Sequence, residues 1–363
     1  MAFLTGWTKR APITVPAAQV GSGGVVNFPM LVPIVLPDDV IAALSYTDGR
    51  DIRFTNDAAD TVYSHELVSI DTVAKTLQVW VKVPSLLSSA PTTFYLNCGN
   101  PAAAMPSAAE QQATWSGYGG MWHCEDVGPT SVVDATANVN TGTQSGGVIF
   151  GTPGKIGKAL SFGGTDDYVN LQNAASLKPT SITVGAWVQT TANNVMIIAT
   201  DDGDSTHPYS YDIWISNAAN AKARIEIDGV SLAEASLLGA TTVNDGQWHY
   251  IVGTYDGAYI RLYVDGVADA SPLAYAGGAI DYTASDNVVL GKRTTYHFYT
   301  GLIDNPYVLA DAHGAAWITT EYNNQFAPGT FASFGAVESA GGIITPRRFN
   351  DGLWLPGRNP GVM

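Results

Sequence analysis

The segment from Asp245 to Gly266, DGQWHYIVGTYDGAYIRLYVDG, leaves the chain little choice of local structure. Trp248 to Tyr255 and Tyr259 to Val264 are rich in β-branched and aromatic residues, which fit a pleated surface better than a helix. Each run closes on an Asp-Gly pair, Asp256-Gly257 and Asp265-Gly266, the dipeptide that supplies the positive φ of a tight hairpin turn. In the second run Ile260, Leu262 and Val264 alternate with Tyr259, Arg261 and Tyr263. That period of two predicts consecutive hairpins in an antiparallel sheet with one buried side.

The Trp248-His249, Thr254 to Gly257 and Leu262 to Gly266 signals resemble the core of laminin G-like domains in the concanavalin A-like lectin/glucanase superfamily. Residues 154–171 and 299–308 continue the likeness, as does Met121 to Asp126, which is similar to the first strand of such domains. The resemblance implies a jelly roll of two packed sheets. It implies no activity, because that fold carries lectins, hydrolases and inert modules alike. Composition points the same way: charged residues are only 13% of the 363, with 38 Gly and 19 Pro, so the chain reads as an all-β protein of about two domains with many tight connections.

Residues 1–104 are expected to form a small N-terminal β-sandwich. Strands are predicted at 13–15, 30–36, 51–55, 77–83 and 93–96, with Leu77, Val79, Val81 and Val83 on one face and Gln78, Trp80 and Lys82 on the other. Asp38 or Asp39 is the expected cap of a short helical turn over 38–44. The motifs at 6–15, 27–32, 48–55, 79–84 and 99–101 resemble a domain family of unknown function that precedes laminin G-like modules in microbial surface proteins and phage structural proteins. Cys98 departs from that family, which tends to an aromatic residue there. Residues 105–114 read as a linker, 115–336 as the concanavalin A-like jelly roll with one short helix at 315–323, and 337–363 as an extended C-terminal tail.

Net charge is −15, which on average repels phosphate backbones and anionic membranes, so neither nucleic acid nor membrane insertion is expected. The exception is local: Arg347, Arg348 and Arg358 against Asp351 leave residues 341–363 at +2 and the remainder at −17. With Phe349 and Trp354 this segment cannot build a core and reads as either disordered or a docking arm. Cys98 and Cys124 are read as two separate buried thiols, a single bridge between them being the alternative. The first residues lack a basic segment followed by an apolar run, so no Sec leader is expected.

The laminarinase branch of the superfamily works with two Glu and an Asp on one strand, and the nearest match, Glu226-Ile227-Asp228-Gly229-Val230-Ser231, lacks the last carboxylate. No catalytic residue and no enzyme activity are therefore expected. The binding candidates lie elsewhere. Asp201, Asp202 and Asp204 form an acidic loop that would hold calcium, beside Tyr209, Tyr211 and Trp214 as platforms for sugar faces. Asp166 and Asp167 serve equally as cation ligands or turn caps, and His123 as a satisfied core residue. The resulting expectation is a non-catalytic structural protein on a bacteriophage virion surface, a head decoration, fibre or tail-associated part. Its partners would be capsid or tail proteins, further copies of itself and cell-surface glycans. The alternative is an extracellular carbohydrate-binding adhesin, with a glycoside hydrolase third.

Overall fold

The computed structural model describes residues 2–126, 128, 130–201, 210–217, 221–230, 232–282, 286–293 and 296–340. Strand accounts for 46% of it and helix for 11%, arranged as antiparallel sheets, so the expected all-β class holds. No described helix is long and apolar enough to cross a membrane.

The first domain is a sandwich. One sheet has six strands, with Lys9–Val15, Thr92–Cys98, Arg53–Thr55 and Val62–Tyr63 in that order, and the other has three, Val25–Leu31, Thr76–Leu86 and His65–Asp71. Ile13, Val15, Phe94 and Leu96 of the first sheet and Leu77, Val79, Val81 and Val83 of the second all lie in one core. The opposite face of Thr76–Leu86 does not meet water as alternation alone would have it: Trp80 is 1% exposed and Gln78 6%. The second domain covers it, with Trp115 and His123 packed on the Trp80 indole at 5.3 and 5.6 Å between ring centroids.

Two local expectations change. The helix Asp38–Ala43 has Pro37 as its N-cap without a side-chain cap; Asp38 and Asp39 sit in its first turn, where they favour the positive end of the helix dipole. The predicted linker contains a helix, Ala108–Gln112, opened by a Ser107–Glu110 capping box and followed by a 3-10 turn, Ala113–Trp115. Ser-x-x-Glu was present in the sequence and is the usual signature of such a start.

The second domain packs an eight-stranded sheet on a nine-stranded one. Trp248–Tyr255 and Tyr259–Val264 pair with Ile251 opposite Val264 and Tyr255 opposite Ile260, the predicted hairpin. Gly257 has φ +88° and Asp265-Gly266 have φ +52° and +77°, the left-handed values that Asp-Gly pairs supply. Ile251, Leu262 and Val264 from this sheet and Ile213, Ile225 and Ile227 from the other share one apolar core.

The two domains are joined by more than chain continuity. The helix Ala315–Phe326 lies between them. Toward the first domain, Asn324 accepts the Leu31 N–H and donates to the Leu31 carbonyl, both at 2.8 Å, Thr320 accepts the Gly21 N–H, and Asn323 donates to the Gln19 carbonyl. A Cβ on Gly21 would stand 2.3 Å from the Ala316 carbonyl oxygen, so this approach needs glycine. Toward the jelly roll, the Trp187 indole N–H donates to Gln325, and Tyr307 donates to Glu321. Burial pushes the Glu321 carboxyl up to about 7.

Past this helix the chain returns to the first domain. Ser333–Phe334 and Glu338–Ser339 pair with Lys9–Val15 as the outer strand of the six-stranded sheet. Arg10, 1% exposed, binds Glu338 at 2.6 Å and Asp57 at 3.2 Å beneath the Tyr95 ring. The boundaries expected at 115–336 and 337–363 therefore shift: 333–339 belong to the first sandwich, and 341–363 lie outside the described residues.

Asn324→Ala strands both Leu31 backbone groups in the seam. It should lower unfolding free energy by about 2–4 kcal/mol, read from urea or thermal melts, whereas Asn323→Ala, which loses only the half-buried bond to the Gln19 carbonyl, should cost about 1 kcal/mol.

Candidate functional site

In the eight-stranded sheet, alternation decides which side chains meet the core and which face away. In Tyr211–Ile215 the core takes Tyr211, Ile213 and Ile215; in Lys222–Gly229 it takes Ala223, Ile225 and Ile227. Asp212 and Trp214, and Arg224, Glu226 and Asp228, are left on the outward face. Pairing sets Asp212 opposite Glu226 and Trp214 opposite Arg224, and the next strand, Val195–Asp201, brings Met196 opposite Trp214 and Ala199 opposite Asp212. Met196, Ala199, Trp214 and Val289 form a small apolar patch there, separate from the main core.

Charge is concentrated beside that patch. Arg293 reaches Asp212 Oδ2 at 3.2 Å and Glu226 Oε2 at 2.9 Å with the same nitrogen, and Arg224 approaches Glu226 Oε1 at 3.6 Å. The Arg224 guanidinium also lies 5.4 Å over the Trp214 ring, with His297 5.8 Å from it. Burial, then the Glu226 charge, hold the Asp212 carboxyl well above the usual range, with Arg293 opposing them. Burial and Glu226 also raise Glu234, which comes from the neighbouring edge strand.

Several polar atoms of this face are buried without a hydrogen-bond partner among the described residues, Trp214 Nε1, Arg224 Nε and Ser216 Oγ, while the buried Asp212 carboxyl lies against Glu226 and the Arg293 guanidinium. Such orphans are uncommon; others lie elsewhere, on Asp51, Gln78, Trp80 and Asn97 among them, but on this face they stand beside Arg293 and Glu226.

The structure redistributes the predicted binding residues. Tyr211 is fully buried and donates to the Leu177 carbonyl at 3.2 Å; the strand phase turns it inward, so it offers no platform to a sugar. Trp214 is on the outward face, 8% exposed. Asp201 is 4% exposed and holds Lys292 at 3.1 Å, so an ammonium already sits where a cation would. Among the described residues no group of three or more His, Cys, Asp or Glu is placed to hold a metal ion. Asp202, Asp204 and Tyr209, and the arm residues Arg347, Arg348, Phe349, Trp354 and Arg358, lie outside the described residues. Asp167 accepts the Gly147 and Gly163 N–H groups, which is the turn-capping alternative. Cys98 and Cys124 are separate buried thiols; burial pushes the Cys98 thiol up to about 12 and Cys124 upward too. The residues missed by sequence reasoning are Asp212, Arg224, Arg293 and Glu234. Asp212 and Arg224 were findable, since out-of-phase charges inside apolar strands Tyr211–Ile215 and Lys222–Gly229 mark an outward face.

Comparison with known families gives two matches: the domain of unknown function DUF2341 over residues 48–121, and the concanavalin A-like lectin/glucanases superfamily over 162–319. The chain carries a DUF2341 domain followed by a concanavalin A-like domain. Comparison with curated proteins finds no match. Among solved structures, similar chains include domain 4 of AbnA, a GH43 extracellular arabinanase from Geobacillus stearothermophilus, in complex with arabinotriose. It is 18% identical with a TM-score of 0.44, over 56% of this chain and 96% of that one. Another is the botulinum neurotoxin serotype G binding domain, 13% identical with a TM-score of 0.45, over 56% of this chain and 50% of that one. The chain thus spans about half the length of the toxin domain it matches. The DUF2341 match ends at Met121, in the strand Tyr118–Met121 that already pairs with Thr300–Leu309 of the jelly roll.

Removing Arg293 leaves Asp212 buried without a cation and Glu226 with Arg224 alone, at 3.6 Å. Arg293→Ala should cost about 3–5 kcal/mol, and adding Asp212→Asn should restore a good part of that in a thermal-melt double-mutant cycle.

Proposed function

We propose that the chain is a non-catalytic structural part of a bacteriophage virion surface that displays its concanavalin A-like domain outward and holds glycans on the outward face of the eight-stranded sheet. The observation that supports glycan holding is the set of orphaned polar atoms around Trp214. A sugar offers what that set lacks, since each hydroxyl both accepts, from Trp214 Nε1 and Arg224 Nε, and donates, to Ser216. Met196, Ala199 and Val289 are buried beside Trp214, so the C–H face of a ring would meet only the part of the indole left exposed, 8%.

A non-catalytic reading rests on the same geometry. Glycosidases need two carboxyls about 5 Å or more apart with the scissile bond between them. Asp212 and Glu226 are directly opposite in one ladder and share one Arg293 nitrogen, which occupies the space a substrate oxygen would need. The structural role is supported by the seam: two sandwiches locked by side-chain to backbone hydrogen bonds make one rigid building block, with a basic segment of 23 residues following Ala340 and an acidic body for neighbouring copies or capsid and tail proteins to meet.

On a glycan array the purified protein should retain at least one class of glycan, and Trp214→Ala should weaken that binding about tenfold, the scale of one lost aromatic and hydrogen-bonding contact. An empty array, or release of product from the bound polysaccharide, would sink the reading. Deleting 341–363 should abolish incorporation into particles or oligomers, measured by co-sedimentation, while leaving the melting temperature unchanged.

A further inference from the structure

His123 stands in the seam between the two domains, 6% exposed, and both of its ring nitrogens face acceptors. Nε2 lies 2.9 Å from Glu66 Oε2 of the first domain, and Nδ1 lies 2.9 Å from Asn305 Oδ1 of the second. The Asn305 amide is oriented by its other end, because Nδ2 donates to Asp304 Oδ1 at 2.6 Å and leaves Oδ1 for the imidazole. Glu66 Oε2 accepts from the Trp115 indole as well. A neutral imidazole has one donor and one acceptor, so it can satisfy only one of these two contacts. Both are satisfied only by the imidazolium. The indoles of Trp80 and Trp115 pack at 5.6 and 5.3 Å, one stacked and one edge-on, the aromatic surroundings that suit a cation.

We propose that His123 is a protonation-dependent clamp between the domains: as imidazolium it ties Glu66 to Asn305, and loss of one proton turns a nitrogen lone pair on an oxygen and releases this side of the seam. Glu66 faces it from the strand His65–Asp71, Asp304 through Asn305 from Thr300–Leu309, and Glu125 and Asp126 from its own segment. Thr76–Leu86 presents Trp80 and Gln78 and, further along the same face, Lys82, whose ammonium donates to the Ser116 carbonyl. Of the carboxyls, Asp304 is held well above the usual range by burial, which favours its neutral form. Burial alone would push the imidazole down, but Glu66, Asn305 and Glu125 outweigh it and leave the group above its ordinary 6.5. The clamp therefore contributes fully below 6.5 and is lost as pH rises through the higher folded value. A cavity of about 210 Å³ lined by Glu66, His123, Glu125, Val133 and Ala135 adjoins the pair and gives water a route to it once the contact breaks.

The arrangement is not explained by the same chemistry elsewhere. His249 also has two acceptors, Asp265 at 2.8 Å and Asp245 at 3.2 Å, but all three lie within one hairpin region of the jelly roll and join no domains. Its titration affects stability in the same direction, so melting curves alone do not isolate His123.

The test is hydrogen exchange by mass spectrometry on the full chain from about pH 6 to about pH 9, with histidine-detected NMR of the same protein. Native protein should show residues 64–68 and 121–125 losing about tenfold protection beyond the chemical rate increase, the scale of one broken buried contact, at the pH where the His123 ring titrates, above 6.5. Glu66→Gln should move that transition to lower pH, whereas a merely structural role would weaken both segments equally at every pH. His123→Gln should remove the pH dependence in these segments and leave that near His249. The proposal is overturned if His123 titrates at or below 6.5, or if both segments follow the chemical rate throughout; either result can be read on native protein even where a variant fails to fold.

Discussion

The constraint on which the rest of the structure depends is the unpaired edge of the strand Val25–Leu31. It is the outer strand of a three-stranded sheet, and an edge leaves backbone N–H and C=O groups that must find partners once covered. Asn324 answers both Leu31 groups with one amide, and Thr320 takes the Gly21 N–H in the preceding segment. The helix that carries them consequently buries Thr320, Glu321, Asn324 and Gln325 alongside Trp317 and Ile318. A helix with that many buried polar groups makes sense only as a bridge between two surfaces that each supply matching partners. The jelly roll supplies Trp187 and Tyr307, and the first domain supplies its sheet edge.

From this bridge follows the double burial of Thr76–Leu86. A small sandwich alone would keep Gln78, Trp80 and Lys82 in water. With the second domain seated, Trp80 joins Trp115 and His123 in an aromatic layer, and the first domain's apolar cluster extends into Trp187, Tyr250 and Tyr307 of the second. Hydrophobic burial across the seam and the return of Ser333–Phe334 and Glu338–Ser339 to the first sheet make the parts mutually dependent.

This also explains what could be read from the amino acids. Period-two runs and Asp-Gly pairs are local, so the hairpin of Trp248–Tyr255 with Tyr259–Val264 and the strand Thr76–Leu86 were legible without tertiary information. What covers an outward face is not local, which is why the alternation puts Gln78 and Trp80 opposite Leu77, Val79, Val81 and Val83 without showing that the second domain covers them. Tyr211 failed for a simpler reason. Aromatic residues near an acidic loop suggested a platform, while the alternation Tyr211, Ile213, Ile215 against Asp212, Trp214 already assigned Tyr211 to the core. The candidate site was legible only in part, since Arg293 arrives from a segment 67 residues from Glu226 in sequence and no motif announces that meeting.

The outward face is costly as a purely structural device. Two carboxyls and two guanidinium groups are placed beside an apolar patch, Asp212 is fully buried against Glu226 and Arg293, and Trp214 Nε1 is orphaned. Apolar residues of similar volume at such positions commonly give an equally or more stable fold, because the desolvation of each ion offsets what the pairing gains. The main core of the same domain shows what the fold does when only stability is at stake: Ile213, Ile225 and Ile227 meet Ile251, Leu262 and Val264 without a charged side chain among them. The same strands therefore carry an optimised inner face and an energetically expensive outer one, and the difference between those two faces is the physical reason to look for a ligand on the second.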